Sequence, residues 1–154
     1  MAEDTIIDGD ELRDVLAAAG VRPAGVFTLD STYKLLTRDD VCKKLSESFT
    51  DVLDDLSYRY VPERNDCENF ACFLWGWTAY WHSKQKRDAS DNGVAFGFVC
   101  NAVLAHGFNF AIHQSDAGVL YPQAYEPQRD PRGYSCAPID LTPDQWKGSF
   151  LCVC

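Results

Sequence analysis

Arg64-Asn65-Asp66-Cys67-Glu68-Asn69-Phe70-Ala71 sets a cysteine where a polar turn becomes a strongly apolar helix. A thiol in the first turn of a helix lies near the positive end of the macrodipole, with unpaired backbone N–H groups pointing at it. That setting lowers a cysteine pKa and favours the reactive thiolate. Asp66, directly before Cys67, is a good N-cap residue. The carboxylates of Asp66 and Glu68 act the other way, because nearby negative charge raises a thiol pKa, so a neighbouring histidine would have to supply most of the activation. Further along the chain, His106 heads the strand-like run Gly107-Phe108-Asn109-Phe110-Ala111-Ile112, and Glu126 sits in Tyr125-Glu126-Pro127-Gln128. Cysteine, then histidine, then an orienting polar residue is an order of parts used for thiol-dependent acyl transfer.

Geometry narrows the choice of histidine. His82 lies fifteen residues along the helix that Cys67 begins, about 22 Å away at ~1.5 Å per residue, and cannot be the partner. His106 and His113 are seven apart, so in one regular strand they point to opposite faces and at most one faces Cys67. His106, at the strand start, is the first candidate and His113 the second. The plain alternative for either is a hydrogen-bonded structural histidine. Glu126 is the candidate orienter, accepting from the imidazole and holding its tautomer. Gln128 is its rival through the amide oxygen, and an exposed strand-end carboxylate is the plain alternative. The backbone N–H of Cys67 and the side chain of Asn65 are candidate donors to an oxyanion.

The 154 residues are enough for one domain with a single sizeable core. The formal net charge of −9 argues against nucleic acid or an anionic membrane as partner, since phosphate binding needs clustered Lys and Arg. Lys84-Gln85-Lys86-Arg87 is the one basic cluster, and it complements the negative end of the preceding helix. Seven cysteines at non-repeating spacings, together with the acidic opening Met1-Ala2-Glu3-Asp4, predict free thiols in a reducing compartment. The expected location is the cytoplasm, or a host cytoplasm or virion for a phage protein. The longest apolar run, Phe70–Trp81, is interrupted by Gly76 and Thr78 and falls short of the ~20 residues of a membrane span. No paired C-x-x-C, no H-x-x-x-H and no D-x-D-x-D-G loop occurs, so no zinc or calcium site and no required cofactor is expected.

Periodicity predicts a helix over Asp10–Ala19 with Gly20 as its stop, a longer one over about Arg38–Leu56 opened by Thr37 and Asp40, and a third from Cys67 to about His82. The third is apolar nearly all round, as in a buried central helix. Phe27–Leu36 leaves room for a short strand, Ser57–Pro62 reads as an extended linker, and Lys84–Asn92 as a polar loop before Gly93. Val94–Cys100, Gly107–His113, Val119–Tyr125 and Phe150–Val153 have strand character, which predicts an antiparallel meander after a helical half. Thr142-Pro143 opens a short helix. The expected layout is one domain over 1–154: an N-terminal segment 1–36, a helical half 37–85 and a sheet half 94–154.

Three blocks of the sequence carry a resemblance. Tyr60-Val61-Pro62-Glu63-Arg64-Asn65-Asp66-Cys67-Glu68-Asn69-Phe70-Ala71 resembles the Y-x-P-E-x-N-D-C-D-D-F-A block of the papain-like cysteine peptidase family typified by the C-terminal domain of the fairy-ring mushroom agglutinin. His106-Gly107-Phe108-Asn109, preceded by Ala95–Val99, is similar to its H-A-F-N block, and Tyr125-Glu126-Pro127-Gln128 to V-E-P-Q. The similarity spans about Tyr33–Arg129. It implies an α+β, papain-like peptidase fold, with a central buried helix on an antiparallel sheet, and a Cys–His–Glu triad on Cys67, His106 and Glu126. Asn65, Asp66 and Gln128 would then be supporting residues, and calcium dependence is implied by resemblance alone. Glu68-Asn69 replaces the family's acidic pair, which puts metal dependence in doubt, and Gly107 replaces Ala. The agglutinin also carries a β-trefoil lectin, for which this chain has no room, so the resemblance implies no carbohydrate binding.

The function expected on these grounds is a cysteine peptidase or amidohydrolase acting on a peptide or protein, in which Cys67 attacks an amide carbonyl, His106 moves the proton and Glu126 orients it. The alternatives are a catalytically silent phage or bacterial binding or structural module on the same fold, a transglutaminase, and a peptidoglycan amidase. Oligomeric state is left open by the sequence.

Overall fold

The computed structural model describes residues 5–85 and 92–153. The chain runs β1 (Ile6–Asp8), α1 (Gly9–Ala19), β2 (Val26–Thr28), β3 (Thr32–Lys34), α2 (Ser46–Asp55), α3 (Cys67–Lys84), β4 (Gly93–Val94), β5 (Phe96–Asn101), β6 (His106–Gln114), β7 (Leu120–Glu126), β8 (Ala137–Ile139), α4 (Pro143–Trp146) and β9 (Ser149–Val153). Most of the predicted polar loop Lys84–Asn92 lies outside the described residues.

Local chemistry fixes the helix ends. Asp8 caps α1 by accepting from the N–H groups of Asp10 (3.0 Å) and Glu11 (2.8 Å). Gly20 stops it at φ 111°, a left-handed conformation that suits glycine. Thr37 and Asp40 exchange hydrogen bonds: Asp40 N–H donates to Thr37 Oγ1 (3.0 Å), and Thr37 N–H to Asp40 Oδ2 (3.1 Å). The helix they open is not uniform, because Asp40–Leu45 winds as a wider π-helical turn before α2 begins at Ser46.

Strands β5, β6, β7 and β8 form the antiparallel meander, with Val99 opposite Phe108 and Phe110 opposite Ala124. The six-stranded sheet has the order β2-β9-β5-β6-β7-β8, and β2 runs parallel to β9. A second, three-stranded sheet, β1-β3-β4, also mixes the two directions.

Helices lie on both faces of the large sheet. Leu12 and Leu16 of α1 pack with Val99, Phe108, Phe110, Ile112 and Leu151 on one face. Phe49 and Leu53 of α2 and Phe70 and Leu74 of α3 pack with Phe96, Ala111 and Tyr125 on the other. This corrects the expectation of one buried helix on an antiparallel sheet: the architecture is mixed α/β with two sheets. Nor is α3 buried all round. It buries Phe70, Ala71, Leu74 and Thr78, while Cys72, Gly76, Ala79 and Tyr80 are exposed. Its aromatic surplus packs sideways onto α2 and the sheet, as when Phe73 meets Phe49 edge-on at 5.2 Å and Trp75 stacks on Phe98 at 6.5 Å.

Candidate functional site

Cys67 is the first residue of α3, and Asp66 stands at the N-cap with an extended backbone. The Asn69 amide, oriented so that its nitrogen donates, reaches Asp66 Oδ1 (2.7 Å) and Arg64 O (2.8 Å) and ties the entering turn to the helix. Asn65 closes that turn through backbone bonds with Val61, at 2.9 and 3.0 Å.

A tight connection delivers the second part of the site. Buried Asn101 donates to Gln145 O and Ser149 Oγ (2.8 Å each) and accepts from Leu104 N–H (2.8 Å). Ala105 turns with φ 48°, and β6 begins at His106. Asn101 was not among the residues singled out from sequence; its signal was an amide ending an apolar strand just before a short turn.

His106 and Glu126 meet across the ends of β6 and β7. His106 Nε2 lies 2.8 Å from Glu126 Oε2, and each side chain is 27% exposed. The hydrogen bond to Glu126 raises the His106 pKa above its ordinary value, burial opposes this, and the charges of Glu126 and Glu68 add to it. Glu126 is also held by the Gln128 backbone N–H, which donates to Oε1 at 3.1 Å. Gln128 therefore serves through its main chain, not through the amide oxygen considered from sequence.

Strand alternation then separates the parts. His106 shares its face with Phe108, whose ring centroid is 6.1 Å away, and Glu126 shares that face with Ala124. Phe108 and Ala124 belong to the core beneath α1. Gly107 alternates to the face covered by α3, and its N–H donates to Cys67 Sγ at 3.4 Å. The Cys67 thiol in turn donates to Glu68 Oε2 at 3.4 Å. Among the hydrogen bonds of the described residues none joins Cys67 to His106. Burial pushes the thiol pKa up, the Gly107 N–H pulls it down, and the Glu68 carboxylate raises it further. Burial and the neighbouring carboxylate thus favour the thiol of Cys67 over its thiolate. Glu68 links the parts electrostatically, lying close enough to His106 for each charge to favour the other.

The rival histidine is structural. His113 is 1% exposed, with Nδ1 2.6 Å from Leu36 O and Nε2 2.6 Å from the Tyr125 hydroxyl. His82 lies in the last turn of α3. Asn109, buried on the face that α3 covers, donates to Ala71 O (2.9 Å) and Gly97 O (3.2 Å) and so pins α3 to the sheet. An amide between Phe108 and Phe110 was its sequence signal. Cys42, Cys67, Cys72, Cys100, Cys136 and Cys152 are free thiols. No group of three or more His, Cys, Asp or Glu among the described residues is placed to hold a metal ion.

Neither a scan against family models nor a search of curated proteins found a match. Solved structures do match. The chain is similar to one described as the PSL1a–E64 complex, with TM-score 0.67 and 21% identity over 96% of this chain and 51% of that one. It is also similar to Polyporus squamosus lectin bound to the human-type influenza-binding epitope Neu5Acα2-6Galβ1-4GlcNAc, with TM-score 0.66 and 18% identity over 96% of this chain and 49% of that one. The chain thus spans about half the length of the neighbours it matches. At this identity the likeness shows the fold. It corrects the peptidase-family resemblance and, with it, the reading as a hydrolase and cysteine protease: the fold of this chain is one found within a chain described as a lectin.

Proposed function

We propose that the chain is a binding module, with its recognition site at the polar notch where the first turn of α3 meets the His106–Glu126 end of the sheet, and with a glycan as its ligand class. The observation that carries this reading is the placement of Cys67. Its thiol donates to Glu68 and accepts from the Gly107 N–H, on the α3 side of the sheet, while His106 is engaged by Glu126, and burial with the Glu68 charge raises the thiol pKa. A neutral thiol is a poor nucleophile. The same end of the fold suits recognition, since the Glu68 carboxylate lies within electrostatic reach of a partly exposed imidazole held by Glu126, polar groups of the kind that orient a polyhydroxylated ligand. The lectin neighbours support a binding role, and the sialylated epitope described for one of them makes that glycan the first ligand to test. The epitope is described for a chain twice as long, so its transfer to this half is part of the proposal.

The test is calorimetric titration with Neu5Acα2-6Galβ1-4GlcNAc and its asialo form, using the wild type and the Glu68→Gln and Glu126→Gln variants, alongside iodoacetamide labelling of each cysteine. The expected outcome is binding that weakens by about tenfold or more in the variants, with Cys67 labelling slowly near neutral pH. Fast labelling of Cys67 alone below the ordinary thiol range, or no glycan binding by the wild type, would sink the reading.

A further inference from the structure

Glu68, Cys72 and Trp75 stand at i, i+4 and i+7 along α3 and so share one stripe of the helix. Trp75 stacks on Phe98, which makes this the stripe that faces β5. Phe98 and Cys100 are two apart on β5 and share the α3 face, while Val99 between them belongs to the core beneath α1. Cys100 pairs with Gly107, and Gly107 touches the helix backbone: a Cβ there would stand 2.8 Å from Glu68 Cα. Cys72 lies one helical turn beyond Glu68, between the rows of Cys100 and Phe98. Cys152 of β9 pairs with Phe98 and brings a further thiol to the same face. Cys72 and Cys100 are exposed, Cys152 is half-buried, and all three are free. These thiols lie within electrostatic reach of one another: Cys72 acts on Cys100, more strongly than Cys67 does, and Cys152 acts on Cys72.

We infer that Cys72 and Cys100 are a site of reversible oxidation, closing into a disulfide that ties α3 to β5 when a neutral low-molecular-weight disulfide is the oxidant. Such a bridge needs Cα atoms within ~4.4–6.8 Å, and the backbone contact at Gly107 holds this end of α3 low on the sheet, which is the condition for so short a link. Cys152 stands one strand further out, beyond the strand on which α3 rests. The exchange needs no other reagent. Cys72 loses its proton and attacks one sulfur of the small disulfide; that S–S bond breaks, and one small thiol leaves carrying the proton. Cys100 then loses its proton and attacks the Cys72 sulfur of the mixed disulfide, and the second small thiol leaves with that proton. Two protein thiols are oxidised, and one small disulfide is reduced to two thiols. Charge selects a neutral reagent, because the Glu68 carboxylate adjoins Cys100 and the chain carries a net −9. Burial raises the pKa of both thiols, so closure speeds up as pH rises.

The test is peptide mapping of the full chain by mass spectrometry without reduction, after equilibration with hydroxyethyl disulfide and 2-mercaptoethanol over a series of ratios. The wild type should yield a Cys72–Cys100 cross-link whose amount does not depend on protein concentration. Cys152→Ser should close in the same way. Cys72→Ser and Cys100→Ser should each stop at a mixed disulfide on the remaining partner. The closed wild type should also unfold at a higher urea concentration than the reduced form, since the bridge closes the loop between residues 72 and 100 in the unfolded chain. Adducts on Cys72 and Cys100 that never resolve to a cross-link, or a bridge that forms to Cys67 or Cys152 instead, would overturn the inference. The wild-type map decides this by itself, whether or not each serine variant folds.

Discussion

Gly107 donates its N–H to Cys67 Sγ at 3.4 Å, and it can come that close because it has no Cβ. A Cβ at residue 107 would stand 2.8 Å from Glu68 Cα and 2.9 Å from Glu68 N. The start of β6 and the first turn of α3 therefore touch backbone to backbone. From sequence the glycine is only a replacement for alanine beside the histidine; in the fold it sets the spacing between helix and strand.

Gly107→Ala should destabilise the protein by about 1–3 kcal/mol, the cost of overpacking against main chain that cannot yield. Gly76 gives the contrast. It lies on the exposed side of α3, and an added Cβ meets nothing within 4 Å, so Gly76→Ala should stabilise by about 0.5–1 kcal/mol through helix propensity. Urea midpoints of the two variants check both signs, and a shift in the same direction for both would refute the close-approach account.

Glu68 is the charge that holds Cys67 protonated once burial has acted. Glu68→Gln should lower the thiol pKa and speed alkylation of Cys67 several-fold at fixed pH. Glu126→Gln should leave that rate unchanged, because Glu126 serves His106 on the other sheet face. Equal acceleration in both variants would mean that the imidazole, not Glu68, governs the thiol.

Helices and meander strands were legible because their periodicity is local. Asp10–Ala19 appears as α1 within one residue, and the strand-like runs from Val94 to Tyr125 appear as β5, β6 and β7. What escaped depends on distant chain. The parallel pairing of Val26–Thr28 with Leu151–Val153 joins opposite ends of the sequence, and the small sheet joins Ile6–Asp8 to residues near 33 and 93. At the site, a cysteine opening a helix, a histidine opening a strand and a glutamate ending one could each be placed from helix-start and strand-end signals. The faces they point to could not. The phase of alternation in β6 is set by the turn at Ala105, with φ 48°, and shifting a strand by one residue exchanges its faces. That phase puts Gly107, rather than His106, against Cys67.

His106 should titrate above its ordinary value of ~6.5, and Glu126→Gln should bring it down, as read by NMR of the imidazole. A raised pKa in the folded state stabilises the protein fully below the unfolded value, and this contribution is lost as pH rises through the folded one. The difference in stability between wild type and Glu126→Gln should therefore shrink on the alkaline side. A difference independent of pH would show that Glu126 acts by packing alone.

His113 governs the acid side with the opposite sign. Burial lowers its pKa below the ordinary value, the Leu36 carbonyl opposes this, Arg38 lowers it and Asp40 raises it. Both ring nitrogens are committed to the neutral form, with Nδ1–H donating to Leu36 O and Nε2 accepting from the Tyr125 hydroxyl, each at 2.6 Å. Protonation would turn Nε2 into a donor aimed at that hydroxyl, inside a packed core. A lowered folded pKa means that this contribution is complete above the unfolded value of ~6.5 and is lost as pH falls from there through the folded pKa. His106 does not mask the loss, since its own contribution is already complete below ~6.5. Urea unfolding between about pH 7 and 5 should show wild-type stability falling by at most ~1.4 kcal/mol per pH unit from this one proton. In His113→Gln the protein should be less stable at neutral pH, because Tyr125 loses its acceptor, but its acid slope should be shallower. An unchanged slope would assign the acid loss to the carboxylates rather than to His113.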